Sequence, residues 1–412
     1  DRTARAGRKA SIYSNPTPEK FKKLVRRAIE QVQHKQDEHR IVILNSWNEW
    51  AEGNYMEPDL KFGHGYLDAL KDEDDNMKSE EGLSEFMKFA YIDQFDTVPH
   101  KGKNLGDYVQ TLAAMQFLPS NAFPINRERL DEYEGDKVKM IMASWFMSEP
   151  NHFPYSKDIL PLFISSHYTK RSLEEAFKRQ ECIDYFKKYQ PIGCRDSYTV
   201  KVLRKYGIDA YFSGCLTLTL GKSFHRTADS GEILMVDVMY EYKTISQIFK
   251  DLFFSPKELI SRCIKEKGFF VNLILNTSKK KRMLNKLFSK NLLNEAKFIT
   301  QLHVHTKQDD YLGITRDYLQ RLCNARFVIT SRIHCALPCL AMGTPVIFID
   351  CDLNQSRLEG LKDFFNTITI KGNVVAANFD MSGKIDKEIE NPTRYVQYRD
   401  LLLKKVSDFV RQ

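Results

Sequence analysis

The sequence predicts an α/β protein built on parallel sheets, and three observations predict it. Short apolar runs alternate with segments of helical period, the pattern of βαβ crossovers. The chain has 412 residues, enough for two or three domains that each bury a core. Polar residues able to do chemistry cluster where apolar runs hand over to helices, the place where open parallel sheets hold ligands. Other classes are excluded by composition. No apolar run reaches the ~18 residues of a membrane helix. Lys and Arg number 62 against 54 Asp and Glu, a net charge of +8. That excess is spread along the chain, which suits anionic substrates without requiring nucleic acid. Eight cysteines are too sparse for a disulfide scaffold, and several lie in apolar segments, so reduced thiols and a cytoplasmic setting are expected. The chain opens at Asp1 without an apolar signal core, and the expectation is either a deliberately cut piece or a partial reading frame that began upstream.

In chain order, Thr17-Pro18-Glu19 reads as a helix start, and Phe21, Leu24, Val25, Ala28, Ile29 and Val32 form one apolar stripe. Ile41 to Leu44 reads as a strand covered on both faces. Asn45 to Leu70 follows as a polar aromatic loop and a helix. Its Glu49, Glu52 and Glu57 beside Trp47, Trp50 and Tyr55 suit stacking on a sugar ring and acid/base work, or equally a loop that closes a barrel with its carboxylates in salt bridges. Residues 70–82 hold six acidic groups, the mark of a solvated linker. The expected organisation is 1–70, an acidic linker 71–85, one Rossmann-like domain over 86–225, and a second over 226–412 that ends in a closing helix.

Beyond the linker, strands are predicted at Phe89–Ile92, Val138–Ala143, Leu162–Ser165, Ala210–Ser213, Ile233–Val238, Phe269–Leu275, Phe327–Thr330 and Val346–Ile349. Helices are predicted at Asp107–Phe117, Leu173–Lys188, Tyr198–Tyr206, Asp317–Cys323 and Arg394–Val410. A break over Leu220–Ser230 separates two halves that would face one cleft. The local basic group Lys279 to Arg282 reads as a solvated helix face or as a peripheral contact with anionic lipid.

Ligand-binding candidates follow from the strand-end rule. Ser331, Arg332 and His334 fall in the turn after Phe327–Thr330, where a guanidinium, an imidazole and free N–H groups can meet one anion; an interdomain ion pair for Arg332 and a cap for His334 fit equally. Arg195 and Asp196 follow Pro191-Ile192-Gly193, with Asp196 placed to cap the next helix and Arg195 either entering the cleft or pairing with Asp196. Gly106 and Asp107 open an amphipathic helix at a turn able to cradle phosphate or carboxylate. His167 lies just past a strand, as an acid/base group or a satisfied structural histidine. Cys335 and Cys339 read as core, and His303 and His305 have no partners at a metal-ligand spacing, so no metal is predicted.

The strings GDYVQTLAAMQFL, PLFISSHYT, PIGCRDSYTVKVLRKYGIDAYFSGCLTLTL and TSRIHCALPCLAMGTPVIFID, in that order, resemble the polysaccharide pyruvyl transferase family over roughly residues 86–370. The resemblance implies a fold like the GT-B glycosyltransferases, with two Rossmann-like domains around a cleft. It implies transfer of a pyruvyl group from phosphoenolpyruvate to two hydroxyls of a sugar, leaving a cyclic ketal, in making cell-surface polysaccharides on the cytosolic side of the membrane. The family's Arg-x-His element falls on Arg332 and His334, its Gly-x-Arg-Asp element on Gly193, Arg195 and Asp196. The WNEWAEG and EPD strings resemble the C-terminal end of the WbsX-like family, with a glycoside-hydrolase-99-like (β/α)8 barrel. A barrel takes ~250 residues, so a barrel remnant without activity of its own is expected over 1–70.

Phosphoenolpyruvate bears a phosphate and a carboxylate on one small frame, which two facing cationic turns can hold, arginine being the bidentate choice. On that basis Arg332 and Arg195 are expected to clamp the anion, His334 to act as acid/base or phosphate partner, and His167 to deprotonate the acceptor, with Arg357 as a further phosphate contact. No cofactor is expected beyond phosphoenolpyruvate as donor substrate. Expected partners are phosphoenolpyruvate and a sugar or glycan acceptor, lipid-linked or not. A nucleotide-sugar glycosyltransferase of the same shape and a non-catalytic scaffold in polysaccharide biosynthesis are the competing readings.

Overall fold

A computed structural model describes residues 16–32, 39, 41–50, 54–73, 87–94, 103–227, 230–240, 269–303, 310–351 and 355–411. Backbone contacts divide the chain into two compact units, residues 1–89 with 119–122, and residues 90–118 with 123–412.

In the smaller unit the helix Pro18–Val32 starts as expected, with Thr17 Oγ1 accepting from the Lys20 N–H at 3.3 Å. It packs on a helix over 65–73 through Phe21 against Tyr66 and through Arg26, whose Nε lies 2.9 Å from the buried Glu73 carboxylate. Residues 71–73 lie in that helix, and 74–86, where the rest of the acidic linker is expected, lie outside the described residues. The strand expected at Ile41–Leu44 is irregular chain instead, with Ile43 85% exposed. A parallel strand is stable when neighbours pair its backbone and helices cover its faces, and the described part of this unit supplies neither. Its ladder is a two-residue antiparallel pair, Asn48–Glu49 with Asn54–Tyr55.

Among the described residues the larger unit holds two main sheets, whose strands are numbered in chain order, besides two two-residue pairs, Lys103–Asn104 with Leu302–His303 and Trp145–Phe146 with His167–Tyr168. The first is formed by β1 (Lys88–Asp93), β2 (Phe123–Asn126), β3 (Val138–Met142) and β4 (Ile159–Phe163), ordered β2-β1-β3-β4. A parallel pair, β5 (Ile192–Cys194) and β6 (Ala210–Phe212), extends it through a bridge from Ser166 to Cys194. The second sheet comprises β7 (Ile233–Val236), β8 (Lys297–Ile299), β9 (Phe327–Thr330), β10 (Val346–Asp350), β11 (Asn366–Lys371) and β12 (Val374–Ala377), ordered β8-β7-β9-β10-β11-β12. Its pairs are parallel except the last hairpin. Both sheets thus place the first strand between the second and the third, so the strand order reverses between β1 and β3 and between β7 and β9. Ligands in such sheets settle at that reversal, beyond the carboxyl ends.

Strands β9 and β10 are buried along their whole length, as near-continuous apolar runs in a doubly covered sheet require. Three helices set the site: α1 (Leu105–Met115), α2 (Ser197–Lys205) and α3 (Ile333–Met342). Helix α3 ends at Gly343, whose φ of +77° is the left-handed value that the Gly-Thr-Pro turn needs to return the chain to β10. One apolar core joins the two sheets, with Leu105, Val109, Ile141, Leu216, Val328, Leu337 and Phe348 in a single cluster.

In the larger unit three further sequence expectations differ from the structure. Phe269–Leu275 begins the helix Phe269–Leu287 rather than a strand, the ambiguity of every short apolar run. Leu173–Lys188 is two helices, Lys170–Ala176 and Gln180–Lys188. The strand expected at Leu162–Ser165 lies earlier, at β4. In the basic group, Lys280 Nζ donates to the Met239 carbonyl at 3.4 Å and Arg282 to Asn373 Oδ1 at 2.9 Å. Among the described residues no helix is long and apolar enough to cross a membrane.

Candidate functional site

The two reversal points are each closed by a polar lock. In the second sheet β7 pairs with β9 up to Val236 and Thr330, so Asp237, Ser331 and Arg332 emerge side by side. Arg332 Nε donates to Asp237 Oδ2 at 2.9 Å, its guanidinium lies 3.8 Å from the Tyr240 ring centroid, and Ser331 Oγ accepts from the Met239 N–H at 2.9 Å. The interdomain ion pair considered for Arg332 is thus an ion pair within one sheet edge. In the first sheet Gln94, just past β1, donates through Nε2 to Ser144 Oγ, just past β3, at 3.2 Å, and accepts from Arg127 Nη1 at 2.6 Å. Arg127 in turn stacks on Trp145, 3.8 Å from the ring centroid.

Between the locks runs a chain of polar contacts that joins elements of both sheets. Trp145 Nε1 donates to Asp107 Oδ1 at 3.2 Å, and Gln110 Nε2, one turn along α1, makes a longer contact with the same oxygen at 3.5 Å. Gln110 Oε1 accepts from Arg195 Nη1 at 3.0 Å, and the same Nη1 lies 3.3 Å from His334 Nε2. Arginine has no lone pair to offer, so His334 Nε2 must be the acceptor. Burial and the nearby Arg195 push the His334 pKa well below its ordinary value, with Arg357 and His167 adding to the effect. The ring is neutral with its Nε2 lone pair engaged. Helix α1 approaches this closely because residue 106 is glycine: a Cβ there would strike the Gln301 side chain and sit 3.1 Å from His334 Cβ. The first N–H groups of α1 are already taken, Leu105 by the Gln301 carbonyl at 3.0 Å and Gly106 by Asn104 Oδ1 at 3.2 Å.

Arg195 is 1% exposed, and its Nε and Nη2 are buried with no hydrogen-bond partner. Burial and the charge of Arg357 pull its pKa down to about 10. Next to it, Asp196 serves two groups: Oδ1 accepts from the Thr199 N–H at 2.7 Å as the N-cap of α2, and Oδ2 lies 2.6 Å from His167 Nδ1. Asp196 is therefore turned to His167 and to its own helix. Burial, helped by Arg195, lowers the His167 pKa to about 4 despite the opposing carboxylate. In the neutral ring Nδ1 carries the hydrogen to Asp196 and Nε2 keeps a lone pair, the tautomer of a carboxylate-oriented base. Arg357, exposed on the short helix Gln355–Leu358, exerts its charge on Asp107, His167, Arg195 and His334.

Of the residues singled out by sequence, Gly106, Asp107, His167, Arg195, Asp196, His334 and Arg357 come together around one locus, while Arg332 and Ser331 are occupied at the neighbouring lock. Gln94, Gln110, Arg127, Trp145 and Asp237 escaped notice. Gln94, Trp145 and Asp237 each lie within three residues of a strand's carboxyl end, so the rule that found His334 could have found them. In the smaller unit Trp50 Nε1 donates to Glu57 Oε2 at 2.6 Å and stacks on Tyr55 at 3.9 Å, so that carboxylate is engaged; Glu52 lies outside the described residues.

The larger unit is thus a two-sheet α/β assembly with a cationic, histidine-bearing locus at paired strand ends. Residues 170–352 match the family model described as Polysaccharide pyruvyl transferase, a transferase family, and residues 1–70 match the one described as Glycosyltransferase WbsX. Both resemblances read from the sequence are therefore shown over those intervals. Arg195, Asp196, Ser331, Arg332 and His334 fall inside the matched interval; Gly106, Asp107, His167 and Arg357 fall outside it. Two proteins named Uncharacterized protein WxcX, from two strains of Xanthomonas campestris pv. campestris, are each 35% identical over 72 residues, 17% of this chain. The chain spans 10% of the length of those relatives.

Proposed function

We propose that the chain transfers the pyruvyl group of phosphoenolpyruvate to two hydroxyls of a sugar in cell-surface polysaccharide biosynthesis, forming a cyclic ketal, with the two sheets acting as the lobes of a GT-B-like pair. The observation that carries this reading is Arg195. A buried guanidinium with two unmet donor groups is costly in the free protein and becomes favourable when an oxyanion meets it. Neutral His334 accepts on one side of the guanidinium, leaving Nε and Nη2 for a carboxylate or phosphate in the bidentate manner of arginine. Arg357 supplies a second positive charge at the same locus. Held there, the donor keeps its anionic ends on the cations and its enol carbons toward the histidines. The Asp196–His167 pair then accepts the proton of an attacking hydroxyl through Nε2. Bound anion also supports that role, because negative charge beside His167 raises its low proton affinity as the reaction begins.

Acceptor-dependent phosphate release tests this. Incubation with phosphoenolpyruvate and galactose, glucose or mannosamine acceptors is expected to release phosphate with the acceptor present and to yield a ketal adduct by mass spectrometry. Arg195→Gln is expected to abolish both. Stabilisation by UDP- or GDP-sugars with none by phosphoenolpyruvate would replace this reading with glycosyl transfer.

A further inference from the structure

The reaction just proposed needs a proton that none of the groups assigned so far can give. The methylene carbon of the donor must gain a hydrogen, using the electron pair of its double bond, so that the adjacent carbon becomes cationic and a sugar hydroxyl can add to it. The carbon–oxygen bond to phosphate then breaks, and the second hydroxyl adds. Two hydroxyl protons leave and one proton enters at carbon; the balance accompanies phosphate. Arg195 is far too weak an acid. His334 is neutral and accepts at Nε2, and His167 is neutral with Nδ1–H committed to Asp196.

The geometry points to the Asp107 carboxyl as the acid that protonates the methylene carbon of the enolpyruvyl donor. This assignment rests on the reaction proposed above and names the proton source within it. Asp107 stands in the first turn of α1, beside the Gly106 that lets the helix approach His334. Trp145 Nε1 and Gln110 Nε2 both address Oδ1, which fixes the side chain and leaves Oδ2 to carry the proton. Through Gln110 the carboxyl is one side chain away from the Nη1 of Arg195.

The groups that face Asp107 set its proton affinity. Arg127 from the turn after β2, Arg195 from the end of β5 and Arg357 from the helix Gln355–Leu358 favour the carboxylate, as does the Trp145 hydrogen bond; burial opposes them and prevails, so the pKa is raised. A bound donor changes this balance in one direction. Its phosphate and carboxylate neutralise the guanidiniums and add like charge beside the carboxyl, so the proton affinity climbs further as the donor arrives. The acid is thereby loaded by its own substrate, and after the transfer a hydroxyl proton restores it.

The test is calorimetric titration of phosphoenolpyruvate into the whole protein, without acceptor, in two buffers of different ionisation enthalpy. Wild type is expected to take up a proton as the donor binds, approaching one per site. Asp107→Asn is expected to bind phosphoenolpyruvate within about tenfold of wild type, to take up less than half as much proton, the histidines alone remaining to respond, and to lose on the order of 10² or more in kcat. Asp107→Glu, which keeps a protonatable carboxyl, is expected to regain the uptake, and it carries the test should the Asn variant melt early. Equal uptake in wild type and Asp107→Asn, or an Asn variant that keeps kcat within threefold, overturns the assignment while the transfer reaction stands. Failure of wild type to bind phosphoenolpyruvate overturns the reaction and the assignment with it, and is recognised because the comparison of variants then has no binding signal.

Discussion

Arg195 concentrates the cost and the use of this site in one side chain. Burying a guanidinium costs several kcal/mol unless its donors are met, and here Nε and Nη2 are not. Arg195→Met, similar in bulk and uncharged, removes that cost but leaves Gln110 Oε1 and His334 Nε2 without their donor, so the ligand-free protein is expected to keep its stability within about 1 kcal/mol in urea unfolding while losing stabilisation by phosphoenolpyruvate. A Met variant that phosphoenolpyruvate still stabilises would put the anion elsewhere. His167 offers a second single-residue measurement. Its pKa is about 4 in the folded chain, against ~6.5 for a free histidine. Between those values the unfolded chain binds the proton more tightly, so stability is whole above pH ~6.5 and drains away as the pH falls toward 4. The full loss from this residue is about 3 kcal/mol, read as unfolding free energy at pH 7, 5 and 4, and His167→Gln is expected to flatten that part of the slope. An identical slope in the variant would place the titration elsewhere.

At the scale of elements, two functions share Asp196 and can be separated. As the N-cap of α2 it contributes about 1 kcal/mol, a role that asparagine keeps; as the partner of His167 it fixes a tautomer, a role that asparagine can reverse. Asp196→Asn is thus expected to melt near wild type with a large loss of kcat, whereas Asp196→Ala loses both stability and kcat; a fully active Asn variant would remove the pair from the reaction. The approach of α1 to α3 is tested at Gly106. A Cβ there displaces Gln301 Nε2, the mobile end of a side chain, at the cost of the 2.7 Å bond from that atom to Asn104 Oδ1, and its 3.1 Å approach to His334 Cβ also makes α3 give by a few tenths of an ångström. Gly106→Ala is expected to destabilise by about 1 to 2 kcal/mol, and adding Gln301→Ala to recover part of it, as equilibrium unfolding of the pair would show. These elements were legible from sequence to different depths. Strand-to-helix turns such as Thr330–Arg332 and Cys194–Ser197 announce themselves, because the apolar run stops and a cap follows. What Arg332 touches was not legible: its partner Asp237 lies 95 positions earlier and meets it through the β7–β9 pairing. Local pattern likewise misread Phe269–Leu275, where seven apolar-rich residues fit a strand until the nineteen-residue helix around them is seen. Ile41–Leu44 was misread for the opposite reason, since a strand exists through neighbours that its own residues do not encode.

At the scale of the whole larger unit, the shared core decides how the two sheets behave. Leu216 and Leu220 of the segment after β6 pack in one cluster with Leu337 and Leu340 of α3, and Val109 of α1 lies in the same cluster with Val328 of β9. Neither sheet can expose its side of that cluster without exposing the other's. The two sheets are therefore expected to open together, although the chain passes from one to the other near residue 230. The same coupling explains why the site needs no separate hinge to be completed: Arg195 follows a strand of the first half and His334 opens a helix of the second, yet they stand 3.3 Å apart. Native-state amide exchange checks this. Amides of β3 and β10, buried strands of the first and second sheets, are expected to exchange with opening free energies equal within about 1 kcal/mol, and phosphoenolpyruvate at a hundred times its Kd is expected to raise both by about 2.7 kcal/mol. Were β3 to open well below β10, or the ligand to protect one and leave the other unchanged, the core would be two cores in contact. The contact between Arg195 and His334 would then be an arrangement that each half must find anew, rather than one that the folding of both imposes.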